Sequence, residues 1–158
     1  QSGFTLVEVM VTVVIAAILI TVAVPSFNSL YESVRADNNA DKIHDILVFS
    51  RSQAVSYGTT VSVCPFATAT TCKSGTDWSD GVRVFVEANG VTTELKVIDS
   101  FSDNDKVKGP SGTITFSSDG ISTGGNFTYC PNGKAAESKT ITVTSSGRVS
   151  YGSDGNSC

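Results

Sequence analysis

GFTLVEVMVTVVIAAILITVAVP, residues 3–25, is the stretch whose reading organises this chain. From Phe4 to Val24 it is almost entirely apolar, and one carboxylate, Glu8, interrupts it near the start. As a helix rising ~1.5 Å per residue, such a stretch spans ~30 Å, the hydrocarbon thickness of a bilayer. An acid inside it costs roughly 2.5–3.5 kcal/mol on insertion scales, so Glu8 is expected to have a partner and a function. The small residue Gly3 stands before the apolar run. A secretory signal has the opposite order, with its cleavage site after the apolar core. Cleavage after Gly3 would remove a polar leader, of which residues 1–3 are read as the remnant, and leave the apolar helix on the mature chain.

Working outward, Pro25 predicts a kink, because it removes one helical hydrogen bond. Residues 28–57 hold neither Gly nor Pro. Leu30, Val34, Ile43, Ile46, Leu47, Ser50, Ala54 and Tyr57 recur mostly at steps of three and four, an amphipathic helix with a weak polar patch near Asp37–Ala40. Gly58 is its natural stop. Beyond it the period falls to two. Strands are predicted over 60–64, 81–87, 91–98, 113–117, 126–130, 140–144 and 148–151, with Asn89-Gly90 as a hairpin turn. The polar stretch 101–112 reads as a loop. The organisation is therefore a leader remnant (1–3), a membrane or fibre-core helix (4–27), an amphipathic helix (28–57) and a β-rich domain (58–158). The fold class is α+β, a long N-terminal helix packed on an antiparallel sheet domain.

The net charge of −4 and pI near 4.8 exclude a global basic field for nucleic acid. Cys64, Cys72, Cys130 and Cys158 form no C-x-x-C, which argues against a zinc or thioredoxin-like site. Their even number fits disulfides in an oxidising compartment. Of three possible connectivities, Cys64–Cys72, closing a small loop around Pro65, and Cys130–Cys158, tying down the C-terminus, are favoured. His44 is the only histidine, so no Ser-His-Asp or Cys-His set can be built. Asp77, Asp80, Glu87, Glu94, Asp99, Asp103 and Asp105 are scattered without an EF-hand pattern, and Asp99–Asp105 reads as a solvated loop rather than a Ca²⁺ site. Trp78 reads as a core or loop-packing residue. No catalytic, metal-binding or cofactor-binding residue is assigned, and no enzyme is expected.

Gly3-Phe4-Thr5-Leu6-Val7-Glu8-Val9, with Pro25 further on, resembles the processing motif of type IV pilins and type II secretion pseudopilins. The remainder is similar to the GspH/FimT family of minor pilins and pseudopilins. The residues that carry this are Arg51-Ser52-Gln53-Ala54, Val61-Ser62-Val63-Cys64-Pro65, Cys72, Trp78-Ser79-Asp80-Gly81, Val84-Phe85, Ile114-Thr115-Phe116 with Gly120, Phe127-Thr128-Tyr129-Cys130 and Ser146-Gly147-Arg148. The resemblance implies a type IV pilin-like fold. It implies cleavage by a prepilin peptidase between Gly3 and Phe4 and N-methylation of Phe4. It also implies pairing of Glu8 with the Phe4 α-amine of an adjoining subunit, which sets axial register and favours extraction from the membrane.

The leading functional expectation is structural: a minor pilin that primes or caps a type IV pilus. Its implied partners are other minor and major pilins or pseudopilins, the peptidase and an inner-membrane assembly platform. Its implied location is the bacterial inner membrane, as a single-pass protein with a periplasmic C-terminal domain, and then the fibre. The alternatives are a minor pseudopilin of a type II secretion system and a DNA receptor for natural transformation. Some FimT-type members bind DNA through Gly-Arg-x-Arg; here Gly147-Arg148-Val149-Ser150 lacks the second arginine. Lys134, Lys139 and Arg148 could form a small patch, giving weak, salt-sensitive DNA binding.

Overall fold

Thr5 starts the long helix, and the sequence explains why it can. Its extended backbone (φ −81°, ψ 151°) makes it the N-cap, and its side chain and that of Glu8 cap each other's backbone N–H groups in a reciprocal box. Helix α1 then runs Leu6–Tyr57, 52 residues or about 78 Å. It ends at Gly58, whose left-handed backbone (φ 62°) lets its N–H close on the Ala54 carbonyl. The computed structural model describes residues 3–158, without the side chains of residues 22–26. Helix α1 runs without a break through Pro25, where the sequence predicts a kink.

Eight antiparallel strands follow among the described residues: β1 Val61–Pro65, β2 Val82–Ala88, β3 Val91–Ile98, β4 Lys106–Lys108, β5 Ile114–Phe116, β6 Gly125–Cys130, β7 Lys139–Val143 and β8 Val149–Tyr151. They form two four-stranded sheets, in the orders β3-β2-β1-β5 and β4-β6-β7-β8. All seven predicted strands are present with slightly shifted ends. The eighth, β4, corrects the reading of residues 101–112 as a loop. In sequence Val107 is a lone apolar residue between two lysines, so no alternation marks it. Pairing with β6, and backbone bonds from Val107 to Trp78 and to the Ser79 hydroxyl, draw it into the sheet.

One core joins α1 to both sheets. The helix contributes Ala36, Ala40, Ile43, Ile46, Leu47 and Ala54, together with buried Ser50. Positions 36, 40, 43, 47, 50 and 54 are a single stripe at steps of three and four. The apolar stripe read from the sequence is corrected at both ends: Leu30, Val34 and Tyr57 are exposed. So is the polar patch at Asp37–Ala40, where Asn39 and Ala40 are buried. Small side chains there let the helix approach the sheets closely. Burying Ile43, Ile46 and Leu47 stabilises the docking by about 1.5–3 kcal/mol each. Trp78 sits in this core, edge-on to Phe127 at 4.9 Å, with its indole N–H donating to the Pro110 carbonyl at 2.9 Å.

Disulfides join Cys64 to Cys72 and Cys130 to Cys158. The second lays the C-terminal tail across the second sheet, on the face turned away from the core.

The Arg51-Ser52-Gln53-Ala54 and Ser146-Gly147-Arg148 segments meet in space. Arg51 Nε donates to the Gly120 carbonyl at 3.2 Å, and Gly147 (φ +76°) lies so close that a Cβ would sit 1.8 Å from that same oxygen. Gly147→Ala therefore combines backbone strain with a clash, and we expect a loss of at least about 2 kcal/mol in urea unfolding followed by Trp78 fluorescence.

Candidate assembly site

The side chains of α1 divide the molecule into a bare rod and a docked half. Phe4 is 87% exposed, and Leu6, Val7, Val9, Met10, Val11, Val13, Val14, Ile15, Ile18, Leu19 and Ile20 are exposed as well, on every side of the helix. The bare apolar surface continues through Phe27, Leu30, Tyr31 and Val34, and burial begins at Ala36. The changeover thus comes later than residue 28. Soluble surfaces do not carry apolar area continuously around a helix, so this half requires lipid or other subunits around it. Among the described residues no helix is long and apolar enough to cross a membrane, the described side chains of the apolar stretch ending at Thr21.

At the rod's tip, Gly3 has open space where a Cβ would be placed. The Thr5 N–H and hydroxyl donate to Glu8 Oε2 at 3.0 and 3.1 Å, and the Glu8 N–H donates to the Thr5 hydroxyl at 3.3 Å. Glu8 thus has a partner within its own chain.

Where the rod meets the domain, a buried carboxylate locks the two together. Asp105 is 1% exposed. Arg35 of α1 pairs with its Oδ1 at 2.9 Å, and the Asn132 N–H donates to the same oxygen at 2.8 Å. The Tyr129 hydroxyl donates to Oδ2, and Asn39 of α1 donates to that hydroxyl at 2.8 Å. Asn132 directs its N–H inward from a left-handed backbone (φ 50°), which Asn tolerates. Burial and the Asp105 carboxylate push the Tyr129 phenol well above its ordinary value. The expectation of a solvated loop at Asp99–Asp105 is corrected here: the loop delivers its last acid into the helix–domain junction. No group of residues able to hold a metal is present among the described residues.

A second strap lies one helical turn on. The Tyr151 hydroxyl donates to Asp41 at 2.6 Å, and the His44 ring stacks on Tyr151 at 4.8 Å.

The three cations proposed for DNA lie apart in their chemistry. Lys134 binds both carboxylate oxygens of Glu32, at 2.8 and 2.9 Å, and with Asn132 holds the Glu32 carboxyl below its ordinary value. Lys139 lies 2.9 Å from Asp154 and 3.1 Å from Asp37, which raise its pKa. Arg148 is exposed in the turn before β8. Sequence reasoning missed Arg35, Asp105 and Tyr129. No local pattern links residues so far apart in the chain.

Removing the buried acid leaves Arg35 without its counter-charge. Asp105→Ala should lose about 3 kcal/mol in urea unfolding read by Trp78 fluorescence, and Tyr129→Phe about 1–2 kcal/mol. The Asp41 carboxylate and partial burial push the Tyr151 phenol from 10.0 up to about 12. A raised phenol pKa stabilises the folded chain below about pH 10, and the contribution is lost as pH rises through about 12. Asp41→Asn should bring the Tyr151 titration, followed by ring-resonance NMR, back toward 10.

Comparison with known proteins agrees with this architecture. The model described as type II transport protein GspH matches residues 39–147, and that described as the prokaryotic N-terminal methylation motif matches residues 1–24. The type IV minor pilin FimU of Pseudomonas aeruginosa is 23% identical, covering 77% of this chain and 96% of its own with a TM-score of 0.61. A second crystal form of FimU gives 22%, 78%, 92% and 0.63. The minor pseudopilin EpsH from the type 2 secretion system of Vibrio cholerae is 12% identical, covering 74% of this chain and 95% of its own, with a TM-score of 0.58. At these identities the likeness concerns the fold, which is α+β and type IV pilin-like. Comparison with curated protein sequences returns no significant match. The GspH match alone takes in well over half of the chain, so the chain belongs to the GspH family of type II transport proteins, as a pilin-like subunit carrying the N-terminal methylation motif.

Proposed function

We propose that this chain is a minor pilin, a non-enzymatic subunit that primes or caps a type IV pilus. The observation that carries the reading is the bare apolar half of α1, continuous with a half locked into a folded domain. Before assembly, the segment from Phe4 to Val24 lies in the inner membrane, where hydrocarbon covers it. The β domain stands in the periplasm, where the two disulfides persist. A prepilin peptidase cuts between Gly3 and Phe4, and Phe4 is methylated. In the fibre the helices of neighbouring pilins replace lipid around the rod.

Glu8 fits this exchange. Both of its bonds from Thr5 fall on Oε2. Among the described residues Oε1 accepts nothing, so it is available to the Phe4 α-amine of an adjoining subunit. The internal cap lowers the cost of keeping the acid in hydrocarbon, and the incoming amine adds a charge-assisted bond that exists only after docking.

The reading is tested in cells by two variants. Gly3→Arg should accumulate as unprocessed precursor in the inner membrane. Glu8→Ala should insert and be processed but enter fibres at most about one tenth as often, measured by immunoblot of sheared fibres. Fibre entry by either variant at the native level contradicts the proposal.

A role in DNA uptake draws little support from a patch in which Lys134 and Lys139 are committed to carboxylates and Arg148 alone stands in no ion pair among the described residues. In electrophoretic mobility assays at physiological salt, the full chain in uncharged detergent should shift duplex DNA weakly. Lys134→Ala and Arg148→Ala should each change that affinity less than about threefold.

A further inference from the structure

The face of the second sheet turned away from the core is polar beyond the Cys130–Cys158 disulfide, and the register arranges it as a grid. Lys108 of β4 stands opposite Thr128 of β6, which stands opposite Thr140 of β7. The next row pairs Asn126 with Thr142. Neighbours within a row lie ~4.5–5.5 Å apart, and the rows ~6.8 Å apart. The tail from residue 152 to residue 157 walls this grid on one side and bounds an open groove of about 420 Å³. The wall is fixed: Cys158 is bonded to Cys130, the Gly152 N–H donates to the Thr140 carbonyl at 2.8 Å, and Asn156 Nδ2 donates to the Thr140 hydroxyl at 3.0 Å.

Three features of this groove point to a ligand. Thr128 is 8% exposed, and its hydroxyl, like the side chains of Asn126 and Thr142, makes no hydrogen bond among the described residues and opens to the groove. Among the described residues the ion pairs use Arg35, His44, Lys73, Arg83, Lys134 and Lys139; Lys108 is in none of them, and the carboxylate of Asp77, its bridge partner across the backbone, is paired with Lys73. The lining holds no carboxylate and no aromatic ring. In an acidic chain, this is a preformed concave site with one cation that takes part in no ion pair among the described residues and a row of groups that both donate and accept.

From this arrangement we infer that the groove binds an acidic sugar unit of a glycan. Sugar hydroxyls both donate and accept, as do the side chains of Thr128, Thr142 and Asn126. The sugar's carboxylate meets Lys108. Single-stranded nucleic acid fits worse, because base stacking needs aromatic platforms and a phosphate backbone needs several cations.

The test is calorimetric titration of the full chain in uncharged detergent with tetragalacturonate, maltotetraose and a single-stranded DNA oligonucleotide. Tetragalacturonate should saturate with a Kd below about 1 mM, and maltotetraose should bind at least about tenfold more weakly. Lys108→Ala and Thr142→Val should each weaken tetragalacturonate at least about tenfold with Trp78 fluorescence unchanged, while Lys134→Ala leaves it unaltered. The inference is overturned if tetragalacturonate fails to saturate by about 10 mM, if maltotetraose binds equally, if neither groove variant weakens binding, or if DNA binds more tightly through the same residues.

Discussion

Everything in this molecule depends on a single helix living in two environments. Up to Val34 its large apolar side chains, among the described residues, are exposed; from Ala36 one stripe is sealed against two sheets. Between them stands Arg35, whose charge reaches the buried Asp105 at 2.9 Å. That pair is not strong evidence of net stability, since desolvating both groups offsets much of their attraction. Its consequence is positional. An unpaired Asp105 would be costly in the core, so the domain can dock on α1 only in the register that brings Arg35 and the Asn39–Tyr129 bond to it. The docked stripe supplies the energy and the buried acid supplies the register.

The division of labour extends to the polar surface. The cations nearest the helix are spent holding the domain to it: Lys134 on Glu32 and Lys139 on Asp37 and Asp154. Arg51 bonds to the turn at Gly120, against which the Gly147 turn packs. These contacts keep the domain rigid on the rod, as a subunit must be if force or docking at the helix is to move the domain with it. The far face of the second sheet is under no such demand, and there the side chains of Asn126, Thr128 and Thr142 make no hydrogen bond among the described residues.

Much of this was legible in the sequence because the relevant signals are local. The apolar run, the Gly3 and Glu8 positions, Gly58, the Asn89-Gly90 turn and the alternation of the longer strands each rest on a few adjacent residues. What was not legible depends on long-range pairing. Val107 becomes a strand because β6 lies beside it, and Asp105 becomes a core residue because Arg35 and Tyr129 surround it. In sequence Ala40 reads as part of a weak polar patch and Ala36 falls outside the stripe because a hydrophobicity rule rewards size, whereas close helix–sheet packing selects smallness. Leu30 and Val34 misled in the opposite sense: their apolar character belongs to the bare rod, which is exposed among the described residues.

The central claim is that the exposed half of α1 is covered by other pilin-type helices while the half after Ala36 is covered by its own domain. The direct measurement is in-cell photocrosslinking with a benzoylphenylalanine placed at residue 34 or at residue 47 of the full chain. The account predicts that position 34 captures the N-terminal helices of other pilin-type subunits and that position 47 yields only internal crosslinks. Capture of no subunit at position 34, or capture of subunits from position 47, would contradict it.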